Sequence, residues 1–241
     1  MSTLLLRLAA PLQAWGTESR FNTRQTGTAP SKSAVIGLLA AALGRKRDAD
    51  LRDLRALRFG VRTDQPGTLL RDFHMVHYLK KSKETADVTY RYYLSDAVFL
   101  VGLEGDDLCF LNALEEALKS PAYPLFLGRR SCPPTLPLAL GIRELPLEAA
   151  LRAEPWQASD NYRQCWLNRH LGESPSLPLM TDADGTGYGS TVVQDDPLSF
   201  DQRNRQHSFR AVEGKTPVTL KLEEKVTVPT EHDAFAEVEG S

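Results

Sequence analysis

The order of strand and helix patterns in residues 1–145 restricts the fold more than any other feature of the sequence. Two amphipathic helix patterns alternate with apolar strand patterns, and each helix follows residues suited to capping its N-terminus. The resulting order, β-α-β-β-α-β, is that of a ferredoxin-like domain. The strand patterns are residues 3–12, 57–64, 96–104 and 138–142, with a further strand-like stretch at 124–127, and the helix patterns are residues 30–46 and 107–121.

The expected fold class is therefore α+β. Residues 1–145 are expected to form the ferredoxin-like domain, on the same frame as the RNA recognition motif. Residues 146–241 are expected to form a smaller β-rich region, in which 151–159 and 171–179 are linkers, 216–229 holds one or two strands, and the end is an acidic tail.

One connection in this order is too long for a simple turn. About 30 residues separate the second and third strands, where compact domains usually need about 4 to 6. Two β-like arms, 69–79 and 87–94, flank a basic tip, which predicts a protruding hairpin over about 68–95. Its basic residues are interleaved with aromatic ones, a mixture that suits phosphates and bases. The alternative is a hairpin that packs back on its own domain.

The stretch "LFLGRRSCPPTLPL", residues 125–138, predicts a rigid loop. Its three prolines exclude a helix and deprive a strand of donors, so Arg129 and Arg130 are expected to be exposed. Their setting is basic, because residues 1–145 carry 20 Lys and Arg against 15 Asp and Glu, whereas residues 146–241 carry 9 against 16. A polyanion partner for the first half is one explanation, and chance unevenness is the other.

A second anion site is predicted where the first helix begins. Arg24, Lys32 and Ser33 lie beside its unpaired N–H groups, which favour an anion. The alternative is ordinary capping by serine. His74 is the one histidine that can be placed near a substrate, either as an acid–base group or, more simply, as a stacking or hydrogen-bonding partner of a base.

Cofactor motifs fail on inspection. Residues 182–187, "DADGTG", match the EF-hand pattern at the glycine of its sixth position but not at its fifth or twelfth position. No P-loop or dinucleotide fingerprint is present, and the three cysteines form no CxxC pair. No metal or other cofactor is therefore expected. The cysteine pattern, with no signal peptide or membrane span in the sequence, predicts a reduced, cytoplasmic protein.

Four segments taken together resemble the CRISPR-associated protein 5 family, and within it the type I-E branch. They are "LLLRLAAPLQAWG", "TRQTGTAPSKSAVIGLLAAALG", "YRYYLSDAVFLVGL" and "YPLFLGRRSCPPTLPL", and the likeness continues more weakly through "DDPLSFDQRNRQHSFRAV". The resemblance implies a RAMP-type, ferredoxin-like domain with a thumb hairpin. It also implies a subunit of the Cascade complex that grips the 5′ handle of CRISPR RNA and caps the backbone beside the large subunit.

The resemblance further implies the partners and the RNA-binding residues. The partners are CRISPR RNA, the backbone and large subunits and, through the complex, target DNA, with no membrane. No catalytic residue is assigned, although some relatives of another branch cut RNA, so a metal-independent endoribonuclease stays the alternative. The expected RNA-binding residues are Gln13, Trp15, Arg24, Lys32, Ser33, Arg71, His74, Lys80, Lys81, Arg91, Gly128, Arg129, Arg130, Ser131 and Arg210.

Overall fold

The computed structural model describes residues 1–16, 23–80, 83–183 and 189–220. It combines helices with two mainly antiparallel sheets. The strands are β1 Ser2–Ala9, β2 Leu12–Gln13, β3 Thr23–Arg24, β4 Arg58–Gln65, β5 Thr68–Lys80, β6 Lys83–Ser95, β7 Val98–Gly105, β8 Ala139–Arg143, β9 Ser176–Asp182, β10 Ser190–Ser199 and β11 Gln206–Thr219. The helices are α1 Lys32–Ala42, α2 Arg52–Arg55, α3 Leu108–Lys119, α4 Leu147–Ala153 and α5 Asp160–Arg169.

The larger sheet has seven strands in the order β10-β11-β9-β4-β7-β1-β8. Every pair in it is antiparallel. β1 and β7 are near-continuous apolar runs because both faces of the sheet are covered there. Leu4 and Leu6 join the core that contains α1 and α3, whereas Leu5 faces the opposite core with α4.

Both expected helices form, and their boundaries follow from local chemistry. The Ser31 hydroxyl accepts a hydrogen bond from the Ala34 amide at 3.3 Å, so Ser31 rather than Ser33 caps α1. Beyond its end, Gly44 adopts a φ of +71°, which glycine reaches without steric cost. Asp107 caps α3 in the same way, through the Phe110 amide.

The long connection is a hairpin, as predicted. β5 and β6 pair antiparallel without a register shift from Thr68 opposite Ser95 to Lys80 opposite Lys83. β6 also pairs with the short strands β2 and β3 at its base. Phe73 and Leu79 are 65% and 78% exposed, so the hairpin does not pack back on its own domain.

The second half of the chain differs from expectation. The segments predicted as linkers contain parts of α4 and β9, and α5 lies between them. Residues 124–127 are not a strand, and they lead into the proline-rich loop. β9 pairs with β4, so the strands after residue 145 extend the same sheet. The rest of the expected strand at 216–229 and the acidic tail lie outside the described residues.

Two features of the described residues bear on function. None of their helices is long and apolar enough to cross a membrane. Within the same ranges, no three His, Cys, Asp or Glu side chains group closely enough to hold a metal ion. Residues 184–188, which include most of "DADGTG", lie outside the described residues.

Candidate nucleic-acid interface

The loop that carries Arg129 and Arg130 is fixed by backbone contacts to Ala14, which follows β2, the short strand that pairs with the base of the hairpin. Gly128 has a φ of +86°, and a Cβ added there would lie 1.6 Å from the carbonyl oxygen of Ala14. The Ala14 amide donates to the Leu127 carbonyl at 3.1 Å. A glycine is required at position 128 because the Ala14 backbone occupies the place of a side chain.

Arg129 is held in one orientation by two contacts. Its guanidinium carbon lies 4.5 Å from the centre of the Tyr93 ring, and its Nη2 donates to the Arg24 carbonyl at 2.9 Å. Its Nη1 is buried and has no hydrogen-bond partner among the residues that the structure describes. Arg130 and Ser131 beside it are exposed. The loop therefore presents one fixed and one solvent-exposed guanidinium.

Arg91 lies on the same face of the hairpin as Tyr93, two residues along β6. In the strand register, Arg91 lies beside Arg24 of β3 and directly opposite Asp72 of β5. Its Nε is buried and has no hydrogen-bond partner within the described ranges of the chain. On this face, the Nε2 of His74 lies 2.7 Å from the Oδ2 of Asp72. We call the set Asp72, His74, Arg91, Tyr93 and Arg129 the basal site.

The opposite face of the hairpin is apolar. Phe73, Met75, Val88 and Tyr90 are between 40% and 65% exposed, and strand alternation places them on one face. Arg71 lies on this face, with its guanidinium carbon 5.4 Å from the centre of the Tyr90 ring. We call this surface the apolar face of the hairpin. Arg71 is thus separated from the basal site by the thickness of the ribbon.

Two expected RNA-binding residues are buried parts of the fold. The Gln13 side chain donates to the Ala97 carbonyl at 2.6 Å and is fully buried. Trp15 is 1% exposed and packs edge-on against Phe99, with the ring centres 6.3 Å apart. They support the segment that approaches Gly128, but their side chains do not reach the surface.

The expected anion site at the start of α1 is already occupied by carboxylates. The Asp195 side chain accepts from the Lys32 amide at 2.8 Å, and the Lys32 ammonium lies 3.0 Å from Asp182. Arg210 pairs with the same two carboxylates, each at 2.5 Å. Lys32 and Arg210 are therefore engaged within the protein, and Ser33 contacts the capping residue Ser31 at 3.2 Å.

This network continues to α2 and forms what we call the charge cluster, which ties β9, β10 and β11 to the first helices. Arg55 and Asp196 form a further ion pair at 2.5 Å. Burial alone lowers the pKa of Arg210, but its hydrogen bonds and charge pairing with Asp195 and Asp182 raise it overall. Three cations and three carboxylates balance, so the cluster presents no free charge to a polyanion. Its members are Lys32, Arg55, Asp182, Asp195, Asp196 and Arg210.

Tyr93 is the residue of this interface that the sequence did not single out. It is one of five hairpin aromatics of similar appearance in the sequence, and in the structure its burial and its contact with Arg129 distinguish it. The signal available in the sequence was "YRYYL", in which Arg91 and Tyr93 are two residues apart and therefore lie on the same face of a strand. The Lys81 residue and the Lys80 side chain lie outside what the structure describes.

Comparisons with known proteins agree on one family. The model of the CRISPR-associated protein (Cas5) family matches residues 3–213. The CRISPR system Cascade subunit CasD of Escherichia coli (strain K12) is 42% identical over 176 residues, which is 64% of this chain and 78% of that protein.

Two solved structures resemble the chain over nearly its whole length. A chain of a CRISPR RNA-guided surveillance complex matches with a TM-score of 0.74 and 32% identity, over 90% of this chain and 91% of that one. A crystal structure of a Cas protein matches with a TM-score of 0.65 and 40% identity, over 90% and 95% of the two chains. With the family model spanning most of its residues, the chain belongs to the CRISPR-associated protein Cas5 family.

Proposed function

We propose that this chain is the CRISPR RNA-binding subunit of a type I-E Cascade complex in antiviral DNA interference. It grips the 5′ handle of the CRISPR RNA and caps the backbone of the complex next to the large subunit. The similarity to a Cascade subunit and to a chain of an RNA-guided surveillance complex supports this assignment. Target DNA is a partner through the complex rather than directly.

The observation that carries the RNA-binding role is the basal site with its neighbouring loop. Arg24, Arg91, Arg129 and Arg130 come together from three separate segments of the chain. Guanidinium groups match phosphate oxygens in geometry and charge. The phosphodiester backbone of a single RNA strand is the polyanion that this arrangement suits.

We further propose that strands β4, β7, β1 and β8 with α1 and α3 form a ferredoxin-like domain within residues 1–145, to which residues 146–241 add a smaller β-rich region. The antiparallel order of these four strands supports the arrangement. The apolar face of the hairpin is the surface for a neighbouring backbone subunit, because an exposed apolar surface of this kind marks a protein contact. Three free cysteines favour a reducing, cytoplasmic location.

The proposed role is non-catalytic. The Nε2 of His74 lies 2.7 Å from Asp72, and Tyr78, four residues further along β5 on the same face, donates to Asp87 at 2.8 Å. That hydrogen bond raises the pKa of Tyr78. The phenolate, which is the form that could act as a general base, is therefore harder to reach. No observation on the described residues favours the endoribonuclease over the binding role.

The experiment that tests the RNA-binding role is the double replacement of Arg129 and Arg130 by Ala. We expect the slope of log K against log salt to flatten by about 0.7 to 1.4, equivalent to one or two lost phosphate contacts with a single strand. Fluorescence anisotropy with handle RNA over a salt series measures this slope. A slope equal to that of the native chain would remove both arginines from the RNA interface.

A further inference from the structure

Two guanidinium groups at the base of the hairpin have buried nitrogens that find no hydrogen-bond partner in the described part of the chain. These are the Nε of Arg91 and the Nη1 of Arg129. A buried charged donor that is left unsatisfied is costly, so an anion at this position would be favoured. Among the residues that the structure describes, the nearest register partner, Asp72, is directed to His74 instead.

Tyr93 accounts for the orientation of Arg129. The ring is 4% exposed and lies under the guanidinium, whose Nη2 is at the same time bound to the Arg24 carbonyl. These two contacts restrict the planar group before any ligand arrives, so less rotamer entropy is lost on binding. These two contacts do not involve the Nη1 of Arg129, which remains available as a donor to a ligand.

Strand geometry places Arg91 beside this group. Arg91 and Tyr93 are two residues apart on β6, so their side chains leave the same face about 7 Å apart. An anion bridging the two guanidinium groups would therefore lie over the strand at the base of the hairpin. A phosphodiester group, with two unesterified oxygens, can accept from both at once.

We infer that Arg91 and Arg129 bind one phosphodiester group of the RNA strand between them, and that Tyr93 is the positioning residue that holds Arg129 for it. The inference rests on the proposed function and places one backbone phosphate of the bound RNA between these two arginines. Arg71, which stacks on Tyr90 on the apolar face, takes no part in this contact.

The test compares matched variants of the full-length chain by fluorescence anisotropy with handle RNA and with scrambled RNA of equal length. Arg91→Gln should flatten the salt slope by about 0.7, the loss of one phosphate contact. Tyr93→Leu should weaken binding roughly 2- to 30-fold, the range of a partly desolvated cation–π contact. Tyr93→Phe, which keeps the ring, should retain native affinity. Arg52→Gln, at an exposed arginine of α2, is the control with an unchanged slope.

A double-mutant cycle separates positioning from folding. If Tyr93 acts through Arg129, Tyr93→Leu should have no further effect on affinity in an Arg129→Gln background. Thermal unfolding of each variant identifies any that fail to fold, and Arg91→Gln then carries the test alone because Arg91 is only partly buried. A general loss of folding would instead weaken binding in both backgrounds.

The outcomes distinguish the two claims. If the native chain does not prefer handle RNA over scrambled RNA, the proposed function fails and the phosphate site fails with it. If the preference holds but Arg91→Gln keeps the native salt slope, the proposed function stands and the phosphate site is wrong. Normal RNA binding by Arg91→Gln with reduced recovery of the partner subunits would assign these arginines to a protein carboxylate instead.

Discussion

Gly128 shows how a single residue sets the position of the candidate interface. Its φ of +86° and the Ala14 carbonyl in the place of a Cβ leave no room for any side chain. Arg129 follows immediately, so a displacement of the backbone at position 128 also displaces the Arg129 guanidinium, which lies over Tyr93. The backbone contact, rather than a side-chain contact, determines where the arginines point.

Replacing Gly128 with Ala should therefore be more damaging than replacing a glycine that only has a positive φ. Gly172 is the matched control, because its φ is +78° and an added Cβ would have nothing within 4 Å. We expect Gly172→Ala to cost about 1 to 2 kcal/mol of unfolding free energy from backbone strain alone. Gly128→Ala should cost clearly more, as measured by urea unfolding, and equal costs would mean that the Ala14 contact yields easily.

Asp196 provides a residue-scale prediction on pH. Burial by itself raises its pKa, but the hydrogen bond from Arg55 and the positive charges of Arg55, Lys32 and Arg210 together outweigh burial and hold the pKa below its usual value of 3.8. A carboxyl with a lowered folded-state pKa stabilises the fold above its unfolded pKa, and this stability is lost as the pH falls through the folded value.

Asp196→Asn should consequently lower the unfolding free energy at pH 7 by about 1 to 3 kcal/mol, because Arg55 loses its charged partner. The difference from the native chain should shrink as the pH falls below about 4. Thermal melts across a pH series measure it, with Asp50→Asn as the control, since the Asp50–Arg52 pair is exposed. A difference that does not change with pH would separate the effect from ionisation.

Among the elements, the hairpin has two faces with different chemistry. The basal site holds its arginines on one face, and Phe73, Met75, Val88 and Tyr90 occupy the other. This division predicts that the outer part of the hairpin can be removed without loss of the RNA contact at its base.

We expect a chain in which Asn-Gly replaces residues 75–88 to stay folded, because His74 and Thr89 are directly opposite and a two-residue turn can join them. It should bind handle RNA with the native salt slope yet fail to assemble with the other subunits, as read by affinity purification and gel filtration. Phe73→Ser in the intact hairpin is a milder variant with the same expected direction. Normal assembly of both would assign no partner to the apolar face.

The elements also show where sequence patterns suffice. α1, α3 and the strands β4 and β7 were predictable because their apolar residues repeat with helix or strand spacing and face a core. α5 was missed because none of its residues is buried, so no periodic apolar face marks it. β9 was read as a linker because Pro175 and Pro178 obscure its alternation of buried and exposed residues.

The candidate site was only partly predictable for a related reason. Arg129 and Arg130 stood out because a proline-rich loop must expose them, and Arg91 because it lies in an aromatic strand. Lys32 and Arg210 looked equally free, since the carboxylates that neutralise them are 150 and 28 residues away from them along the chain. Charge pairing over such separations depends on the fold and leaves no local pattern.

At the scale of the whole molecule, the chain is expected to bind RNA and leave it intact. General acid–base help is worth about 100- to 10,000-fold, so even a weak active site would become visible over hours. We predict no cleavage of repeat RNA by the purified chain, with or without EDTA. His74→Ala should change affinity at most, and specific cutting that this variant abolishes would favour the endoribonuclease.

The central claim is that the basal site and its arginine loop contact the 5′ handle within the assembled complex. Photo-crosslinking of 4-thiouridine-labelled CRISPR RNA in the purified complex, followed by peptide mass spectrometry, tests it most directly. We predict crosslinks from handle nucleotides to peptides that contain residues 91–93 and 129–131. Handle crosslinks confined to other subunits, with none on this chain, would contradict the account.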